Sequence, residues 1–336
     1  MLARGGGASR APMRALILGA GSIGLRHARN LQALRPGIEL VFMRRAGAGV
    51  PPEHPQAKVV HSLQAGLDCA PSLAVIATPT DQHCAQLEAM LEAGVPCYVE
   101  KPVAANAEQV HRLEERLRMP PGPPPTQTGC NLRFLPSLQR LRELVHDGTL
   151  GRVVRASLEV GQWLPDWRPQ QDYRTSYSAH ARQGGGVILD LVHEIDQARW
   201  LFGEFEHVQA QAGKFSSLEI DAEDTACILL GRRATGPLVS IALDYVSRRP
   251  VRRYAVVGEG GSAVWDLHAG VLEVAGRDEG TALDCGLEGF DVGKTYARAM
   301  QAFLAAVDGG QDGPQNLADG LRSTRLALRS REAAGL

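Results

Sequence analysis

The sequence predicts an α/β protein of two domains, a doubly wound parallel sheet at residues 13–130 followed by an α+β unit at residues 131–336. A chain of 336 residues exceeds the usual size of one hydrophobic core, so two domains are expected. Strands alternate with helices in the first part, which favours a parallel sheet. Later strands follow one another directly, which favours an open, mainly antiparallel mixed sheet. Residues 1–12, MLARGGGASRAP, lack an apolar segment and are predicted to be a flexible tail.

The first domain opens with a strand, a glycine-rich turn and a helix. An apolar strand at residues 14–18 leads into GAGSIG at residues 19–24, and an amphipathic helix and a second strand at residues 38–43 follow. A lone GxGxxG motif is weak evidence. Its place between a strand and a helix, within a unit completed by a second strand, is typical of a Rossmann dinucleotide-binding fold.

The residues of this turn have separate tasks in binding a dinucleotide. Gly19 permits the tight turn, Gly21 lets the backbone approach a pyrophosphate, and Gly24 allows the helix to pack closely on the strand. Ser22 and Ile23 begin the helix, where N–H groups and the helix dipole favour bound phosphate.

The end of the second strand indicates which nicotinamide cofactor is bound. An acidic residue there would bind the ribose diol of NAD, but the sequence has Arg44 and Arg45. Two guanidinium groups suit a 2′-phosphate, so NADP is favoured over NAD. The alternative is a solvated basic loop, with the ribose bound by the backbone alone.

Three more strands continue the alternation. They are predicted at residues 73–77, 96–99 and 126–130, with helices at residues 81–92 and 106–118. Thr78-Pro79 follows the first of these strands, and Glu100-Lys101-Pro102 follows the second. Ligands of doubly wound sheets bind outside the carboxyl ends of the strands, so both loops and the glycine turn should meet at one crevice.

The second domain is predicted from consecutive strands framed by helices. Strands are expected near residues 152–160, 206–214, 224–231, 237–246, 251–257 and 262–275, and helices near residues 136–146, 290–308 and 317–333. Such a sheet leaves one face free, which suits the interface of a homodimer or homotetramer.

The segment at residues 183–203, QGGGVILDLVHEIDQARWLFG, carries the residues best suited to proton transfer. Its glycines lead into one helical pattern, with an apolar stripe on one side and Asp190, His193 and Glu194 on the other. A carboxylate and an imidazole one turn apart on a buried helix form a candidate proton-transfer pair. The alternative for His193 is a core histidine satisfied by Asp190 or Asp196, and for Asp196 a structural role is expected.

These motifs together resemble the Gfo/Idh/MocA family, which includes glucose–fructose oxidoreductase and inositol dehydrogenase. GxGxxG at residues 19–24, EKP at residues 100–102 and HxxD at residues 193–196 have the order and spacing of that family, and the resemblance covers residues 13–336. It implies NAD(P)-dependent hydride transfer at a carbinol carbon of a sugar or polyol. The SYSA and GGGVILDLVHEID segments also resemble a subgroup that implies an amino, acidic or nucleotide-linked sugar of surface-polysaccharide metabolism.

The resemblance implies roles for individual residues. Lys101 would lie beside the reacting carbinol and the nicotinamide, His193 would be the general acid/base, and Asp190 would lie next to it. The residues implied near the cofactor are Gly19, Gly21, Ser22, Ile23, Gly24, Arg44, Arg45, Thr78, Pro79, His83, Glu100, Lys101 and Asn131. Arg133 is placed beside the nicotinamide and counts as a candidate substrate contact.

The loop before the glycine-led helix is rich in aromatic residues and arginine, which suit sugars and anionic groups. Its candidate substrate contacts are Trp163, Trp167, Arg168, Tyr173, Arg174 and Tyr177, with packing as the alternative for each.

The required proton transfer favours lysine and histidine over arginine. A lysine of depressed pKa or a histidine near its ordinary pKa exchanges protons near neutrality, whereas arginine stays protonated. The alternative for Lys101 is a salt bridge with Glu100. Asp190 and His193 are three residues apart where many family members have four, but both spacings keep the pair on one side of a helix.

Composition excludes several classes of partner. A net charge of −1 argues against nucleic acid or an anionic membrane, and no apolar run of membrane-spanning length is present. The six cysteines form no CxxC pair, which favours free thiols in the cytoplasm, and no cluster of metal-ligating residues stands out.

Three functions are compatible with the resemblance. The favoured one is an NAD(P)-dependent dehydrogenase or reductase acting on CH–OH groups. A second is a glycosidase that oxidises its substrate transiently with a bound nicotinamide. A third is a regulator that senses cofactor or sugar without chemistry, against which the intact set of Lys101, Asp190 and His193 argues.

Overall fold

The computed structural model describes residues 13–232, 236–276 and 280–336 of the chain. The tail predicted at residues 1–12 lies outside the described residues. These described residues form two sheets, one of six strands and one of eight.

The first sheet is parallel throughout. Its strands are β1 (Arg14–Leu18), β2 (Glu39–Met43), β3 (Lys58–Val60), β4 (Leu73–Ile76), β5 (Cys97–Val99) and β6 (Thr126–Thr128), in the order β3-β2-β1-β4-β5-β6. The connecting helices are α1 (Ser22–Leu34), α2 (Leu63–Leu67), α3 (His83–Glu92) and α4 (Ala107–Arg118). Apart from Arg14 at the start of β1, the central strands β1 and β4 are apolar and buried, as expected for strands covered by helices on both faces. The predicted doubly wound sheet is therefore confirmed; strand β3 and helix α2 are additions that the sequence pattern did not indicate.

The second sheet is mixed. Its strands are β7 (Val153–Gly161), β8 (His207–Gly213), β9 (Thr225–Gly231), β10 (Leu238–Asp244), β11 (Val251–Gly258), β12 (Ser262–Asp266), β13 (Val271–Ala275) and β14 (Thr281–Ala282). They lie in the order β14-β13-β12-β11-β7-β10-β9-β8, with β7 and β10 parallel and the other neighbours antiparallel. The open, mainly antiparallel sheet is confirmed. The single strand predicted at residues 262–275 is a hairpin, because Gly270 adopts a left-handed φ of 66° in the turn between β12 and β13.

Helices cover one face of this sheet. They are α5 (Pro136–His146), α6 (Val187–Asp190), α7 (Val192–Phe202) and α9 (Leu317–Ala333), whose apolar side chains share one core with the inward residues of the strands. The opposite face bears polar and small residues together with the exposed Leu229 and Leu238, and contains a groove of about 510 Å³. The homodimer or homotetramer expected through this free face stays a prediction.

The last two helices connect the two layers. On α8 (Val292–Gly309), Met300 and Phe303 pack among Rossmann-sheet residues, and on α9, Leu321 packs against the other face of the same sheet while Leu326 joins the core of the second sheet. The C-terminal segment therefore fastens the second sheet to the first. The domain boundary at residue 130 stays a prediction.

Within the described residues, no helix has both the length and the apolar character needed to cross a bilayer. The location in the cytoplasm stays a prediction.

Candidate active site

The glycine turn between β1 and α1 has the shape that a dinucleotide needs. Gly19 has a φ of 98°, and a Cβ at this position would lie 2.6 Å from the Ala77 carbonyl oxygen. A Cβ on Gly24 would collide with the Gly19 carbonyl oxygen, whereas a Cβ on Gly21 would meet no atom within 4 Å. Gly19 and Gly24 are thus required by packing, and Gly21 leaves an open approach to the backbone.

The start of α1 leaves its backbone donors available. Gly21 is the N-cap residue and supplies no side chain, and the first turn contains no acidic residue. Gly21 and Ser22 are exposed, and Ile23 is half-buried. Free N–H groups at an exposed helix N-terminus fit the pyrophosphate of a dinucleotide.

Arg44 and Arg45 lie directly after β2, next to this turn, whose Gly19 N–H donates to the Met43 carbonyl oxygen. The Arg44 guanidinium donates to the Gly49 carbonyl oxygen. Among the described residues, no carboxylate lies within ion-pair distance of either arginine. This end of the sheet therefore offers positive charge where an NAD-specific site would offer a carboxylate.

His83 and Asn131 are buried and hydrogen-bonded to neighbouring segments. The two ring nitrogens of His83 each lie 2.9 Å from a backbone carbonyl oxygen, one of Thr78 and one of Pro102. The ring is buried, and burial lowers the pKa of His83 below its usual value. Asn131 is also buried and donates to the Thr295 hydroxyl at 2.5 Å. Both residues hold the surrounding segments in place, and their position near the cofactor stays a prediction.

Glu100 pairs with a histidine on α1. Its carboxylate lies 2.7 Å from His27 Nε2 in a buried contact, and the other oxygen accepts the Lys101 backbone N–H at 3.3 Å. This pair ties the loop after β5 to helix α1. No salt bridge joins Glu100 to the Lys101 ammonium in the described part of the chain, so that alternative is not met.

The Lys101 ammonium is held by Asp190. Lys101 Nζ donates to the Asp190 backbone carbonyl oxygen at 2.6 Å and lies 3.3 Å from Asp190 Oδ1. Burial opposes the charge, but the neighbouring Tyr177, Asp190 and Glu100 outweigh it and raise the pKa of Lys101 above its usual value. Lys101 is therefore an ammonium ion near neutrality, not the lysine of depressed pKa that the sequence allowed.

A break between α6 and α7 makes this contact available. The predicted continuous helix is wrong, because Leu191 leaves helical geometry with φ −94° and ψ 30°. The Glu194 N–H donates to the Leu191 carbonyl oxygen and not to that of Asp190. The Asp190 carbonyl oxygen therefore accepts a hydrogen bond from the Lys101 ammonium.

Hydroxyl groups saturate the Asp190 carboxylate. Tyr177 donates to Oδ1 at 2.5 Å, and Ser178 and Tyr245 donate to Oδ2 at 2.7 and 3.1 Å. Burial alone would raise the pKa of Asp190, but Lys101 and these donors lower it. Asp190 is thus an ionised residue that fixes Lys101.

His193 lies in the same cavity as Lys101 and Asp190, a space of about 250 Å³. Its Nδ1 is buried without a hydrogen-bond partner, and no hydrogen bond joins the described side chains of His193 and Asp190. Burial, together with the positive charges of Lys101 and Arg252, holds the pKa of His193 well below its usual value. The imidazole is therefore neutral near pH 7, and the alternative of a histidine satisfied by Asp190 or Asp196 is not met.

Two carboxylates of α7, Glu194 and Asp196, belong to buried ion pairs. Glu194 accepts from Arg252 at 2.8 Å and from the Tyr254 hydroxyl at 2.9 Å. Asp196 accepts two hydrogen bonds from Arg133, at 2.8 and 2.6 Å, which gives Asp196 the structural role expected for it. Arg133 also pairs with Asp319 at 2.8 Å. Its guanidinium is held by these carboxylates, which gives Arg133 a structural role, and the substrate contact expected for it stays a prediction.

The aromatic loop is divided by the fold. Trp167 lines the cavity, Tyr177 bonds to Asp190, and the Arg168 guanidinium lies over the Tyr177 ring. Tyr173 accepts a backbone N–H from Glu219 and Arg174 pairs with Asp172 and Glu219, so these two stabilise the loop. Trp163 carries the Arg248 guanidinium on its ring at 3.6 Å.

Several residues in or beside the cavity were not predicted as site residues. They are Gln162, Arg252 and His268 in the lining, and Ser178, within the SYSA segment, and Tyr245 behind Asp190. Tyr245 lies near the end of one predicted strand and Arg252 near the start of the next, and only the sheet order places those strand ends beside α6 and α7.

Curated relatives and solved structures are similar to this chain. Inositol 2-dehydrogenase of Rhizobium meliloti (strain 1021) is 28% identical over 341 residues, 93% of each chain. Inositol 2-dehydrogenase 2 of Saccharopolyspora erythraea is 30% identical over 68% of this chain and 65% of its own length. A levoglucosan dehydrogenase in complex with NADH and levoglucosan superposes with a TM-score of 0.82 at 19% identity, covering 96% of this chain and 97% of its own.

A UDP-N-acetylglucosamine 3-dehydrogenase from Acidithiobacillus ferrooxidans superposes with a TM-score of 0.77 at 23% identity, over 96% of this chain and 97% of its own. These structures show a shared fold. Residues 13–119 match the oxidoreductase family with an NAD-binding Rossmann fold, and residues 138–264 match the GFO/IDH/MocA C-terminal domain. The chain therefore belongs to the Gfo/Idh/MocA family of oxidoreductases.

Proposed function

We propose that this protein is an NAD(P)-dependent dehydrogenase or reductase acting on a CH–OH group of a sugar, sugar derivative or polyol. The observation that carries the proposal is one cavity lined by Lys101, Asp190 and His193, in a chain whose turn between β1 and α1 is fit for a dinucleotide. The inositol dehydrogenases among the relatives support a polyhydroxylated substrate.

The turn at residues 19–24, with Arg44 beyond it, would hold the cofactor, which when bound supplies the acceptor or donor of the hydride. Lys101 has an ammonium group fixed by Asp190, so it can donate a hydrogen bond to the substrate oxygen and stabilise negative charge there. His193 is neutral and its Nδ1 is buried, so Nε2 is the nitrogen left to take the hydroxyl proton. The reverse reaction would return that proton.

The proposal is tested by turnover of a panel of polyols and sugars with NAD+ and NADP+, and of the matching ketones with the reduced cofactors. We expect absorbance at 340 nm to change in proportion to substrate consumed. Glycoside cleavage without net change of cofactor would instead support a glycosidase. Binding of cofactor and sugar without any turnover would support a sensor, and either result would contradict the proposal.

We further propose that the cofactor is NADP, on the basis of Arg44 and Arg45 after β2. Arg44→Asp should raise the dissociation constant of NADP+ by about tenfold or more, because one charge-assisted hydrogen bond to a phosphate is lost and a like charge is introduced. The dissociation constant of NAD+ should change little. Fluorescence titration with both nucleotides measures this, Arg29→Asp is the control on the exposed side of α1, and equal effects on the two nucleotides would refute the 2′-phosphate contact.

A further inference from the structure

The loop after β7, which supplies Gln162 and Trp167 to the cavity lining, is fastened to the segment that joins β10 to β11. The Gln162 N–H donates to the Asp244 carbonyl oxygen at 3.3 Å, and the Leu164 N–H donates to the Tyr245 carbonyl oxygen at 2.9 Å. The rings of Trp167 and Tyr245 lie 5.3 Å apart. These contacts place the segment between β10 and β11 beside the loop that lines the cavity.

Each of these loops contributes an arginine whose guanidinium rests on an aromatic ring. Arg168 directly follows the cavity residue Trp167, and its Cζ lies 5.8 Å from the centre of the Tyr177 ring. Arg248 has its Cζ 3.6 Å from the centre of the Trp163 ring. Stacking fixes the plane of a guanidinium and leaves the N–H groups at its edge free to donate.

Neither guanidinium has a negative partner within the described part of the chain. Arg174 on the same loop shows the contrast, since it pairs with Asp172 at 2.8 Å and with Glu219 at 2.7 Å. Arg168 and Arg248 have no such ion pair.

The carboxylates in and beside the cavity already have hydrogen-bond and ion-pair partners. Asp190 accepts from Lys101 and from three hydroxyl groups, and Glu194 accepts from Arg252 and Tyr254. The cavity therefore presents a neutralised interior with a positive rim. A planar guanidinium binds carboxylate or phosphate through two parallel hydrogen bonds.

We propose that the substrate carries an anionic group, a carboxylate or a phosphate, which Arg168 and Arg248 bind at the rim while the reacting carbinol lies between Lys101 and His193. This inference rests on the proposed function and adds the charge of the substrate to it.

The test compares neutral and anionic substrates on matched variants. Wild type, Arg168→Gln, Arg248→Gln and the double variant are assayed with myo-inositol and glucose as neutral members, glucuronate as the carboxylate, and glucose 6-phosphate and UDP-glucose as phosphate sources. Arg174→Gln is the control, because this arginine already has two carboxylate partners. Thermal shift in the presence of cofactor measures binding of the same compounds.

We expect the wild-type protein to turn over one anionic class most efficiently. A preference for glucuronate would indicate a sugar acid, and a preference for glucose 6-phosphate or UDP-glucose would indicate a phosphorylated or nucleotide-linked sugar. Each arginine variant should raise the KM for that compound by about ten- to a hundredfold with little change in kcat, since one or two charge-assisted hydrogen bonds are lost. Arg174→Gln should keep the wild-type KM and kcat. For the neutral compounds, KM and kcat should be the same in all variants.

Two results would overturn this inference but not the proposed function. One is a kcat/KM for the neutral compounds at least as high as for every anionic compound. The other is a loss of kcat/KM in the arginine variants that is the same for neutral and anionic compounds. Absence of turnover across the panel would contradict the proposed function instead. Stabilisation by an anionic compound that disappears in the double variant would then still support the rim as an anion site.

Discussion

Replacing Lys101 by methionine should lower kcat by about 10²- to 10⁴-fold, the range found when a positioned proton-transfer or charge-stabilising group is removed. The ammonium is held at 2.6 Å by the Asp190 carbonyl oxygen, so its position is fixed before substrate binds. Methionine keeps the length of the side chain but not the charge. The dissociation constant of the cofactor should stay within about twofold, because the glycine turn that would bind the phosphates is untouched. Stopped-flow turnover and fluorescence titration measure the two quantities.

Lys294→Met provides the control for this variant. Lys294 lies on the exposed side of α8, 3.9 Å from Glu288, and its replacement should leave kcat unchanged. A Lys101→Met protein of normal thermal stability that kept near-normal kcat on its true substrate would remove Lys101 from the mechanism.

His193→Gln should also lower kcat by about 10²-fold or more, because glutamine can hydrogen-bond but cannot accept the proton. Burial and the charges of Lys101 and Arg252 depress the pKa of His193 below its ordinary 6.5. The neutral ring is the active form in alcohol oxidation, so kcat/KM should be level near neutrality and fall only as pH drops through a value below 6.5. His193→Gln should abolish that acid limb.

The Lys101→Met variant provides a second test that His193 causes the acid limb of the pH profile. Removing the ammonium removes one of the charges that depress the pKa of His193, so the acid limb of the residual activity in Lys101→Met should move to higher pH. His111→Gln, on the exposed side of α4, is the matched histidine control and should keep the wild-type profile. An acid limb unchanged in both active-site variants would show that another group titrates.

The sequence predicted the dinucleotide half of the molecule well, because its signals are local. Gly19 and Gly24 are required by contacts within one strand–turn–helix unit, so their spacing alone reports the turn. Lys101 follows a buried strand, and the carboxyl ends of parallel strands share one edge, so its place at the crevice also follows from order along the chain.

The substrate half was only partly predictable. Asp190 and His193 could be recognised as neighbours from their spacing. The helical pattern does not reveal the break at Leu191, because that break depends on tertiary contacts of the helices on either side of it. At one end the freed Asp190 carbonyl oxygen meets Lys101, 89 positions earlier in the chain.

The sequence by itself therefore determined the two sheets, the glycine turn and the presence of a lysine, an aspartate and a histidine suited to hydride-transfer chemistry. Only the tertiary structure decided which partner each polar group has: Lys101 with Asp190, Glu100 with His27, and Arg133 with Asp196. The physical reason is that buried charges must be paired, and the pairing partners come from distant segments whose approach is set by packing of the whole chain.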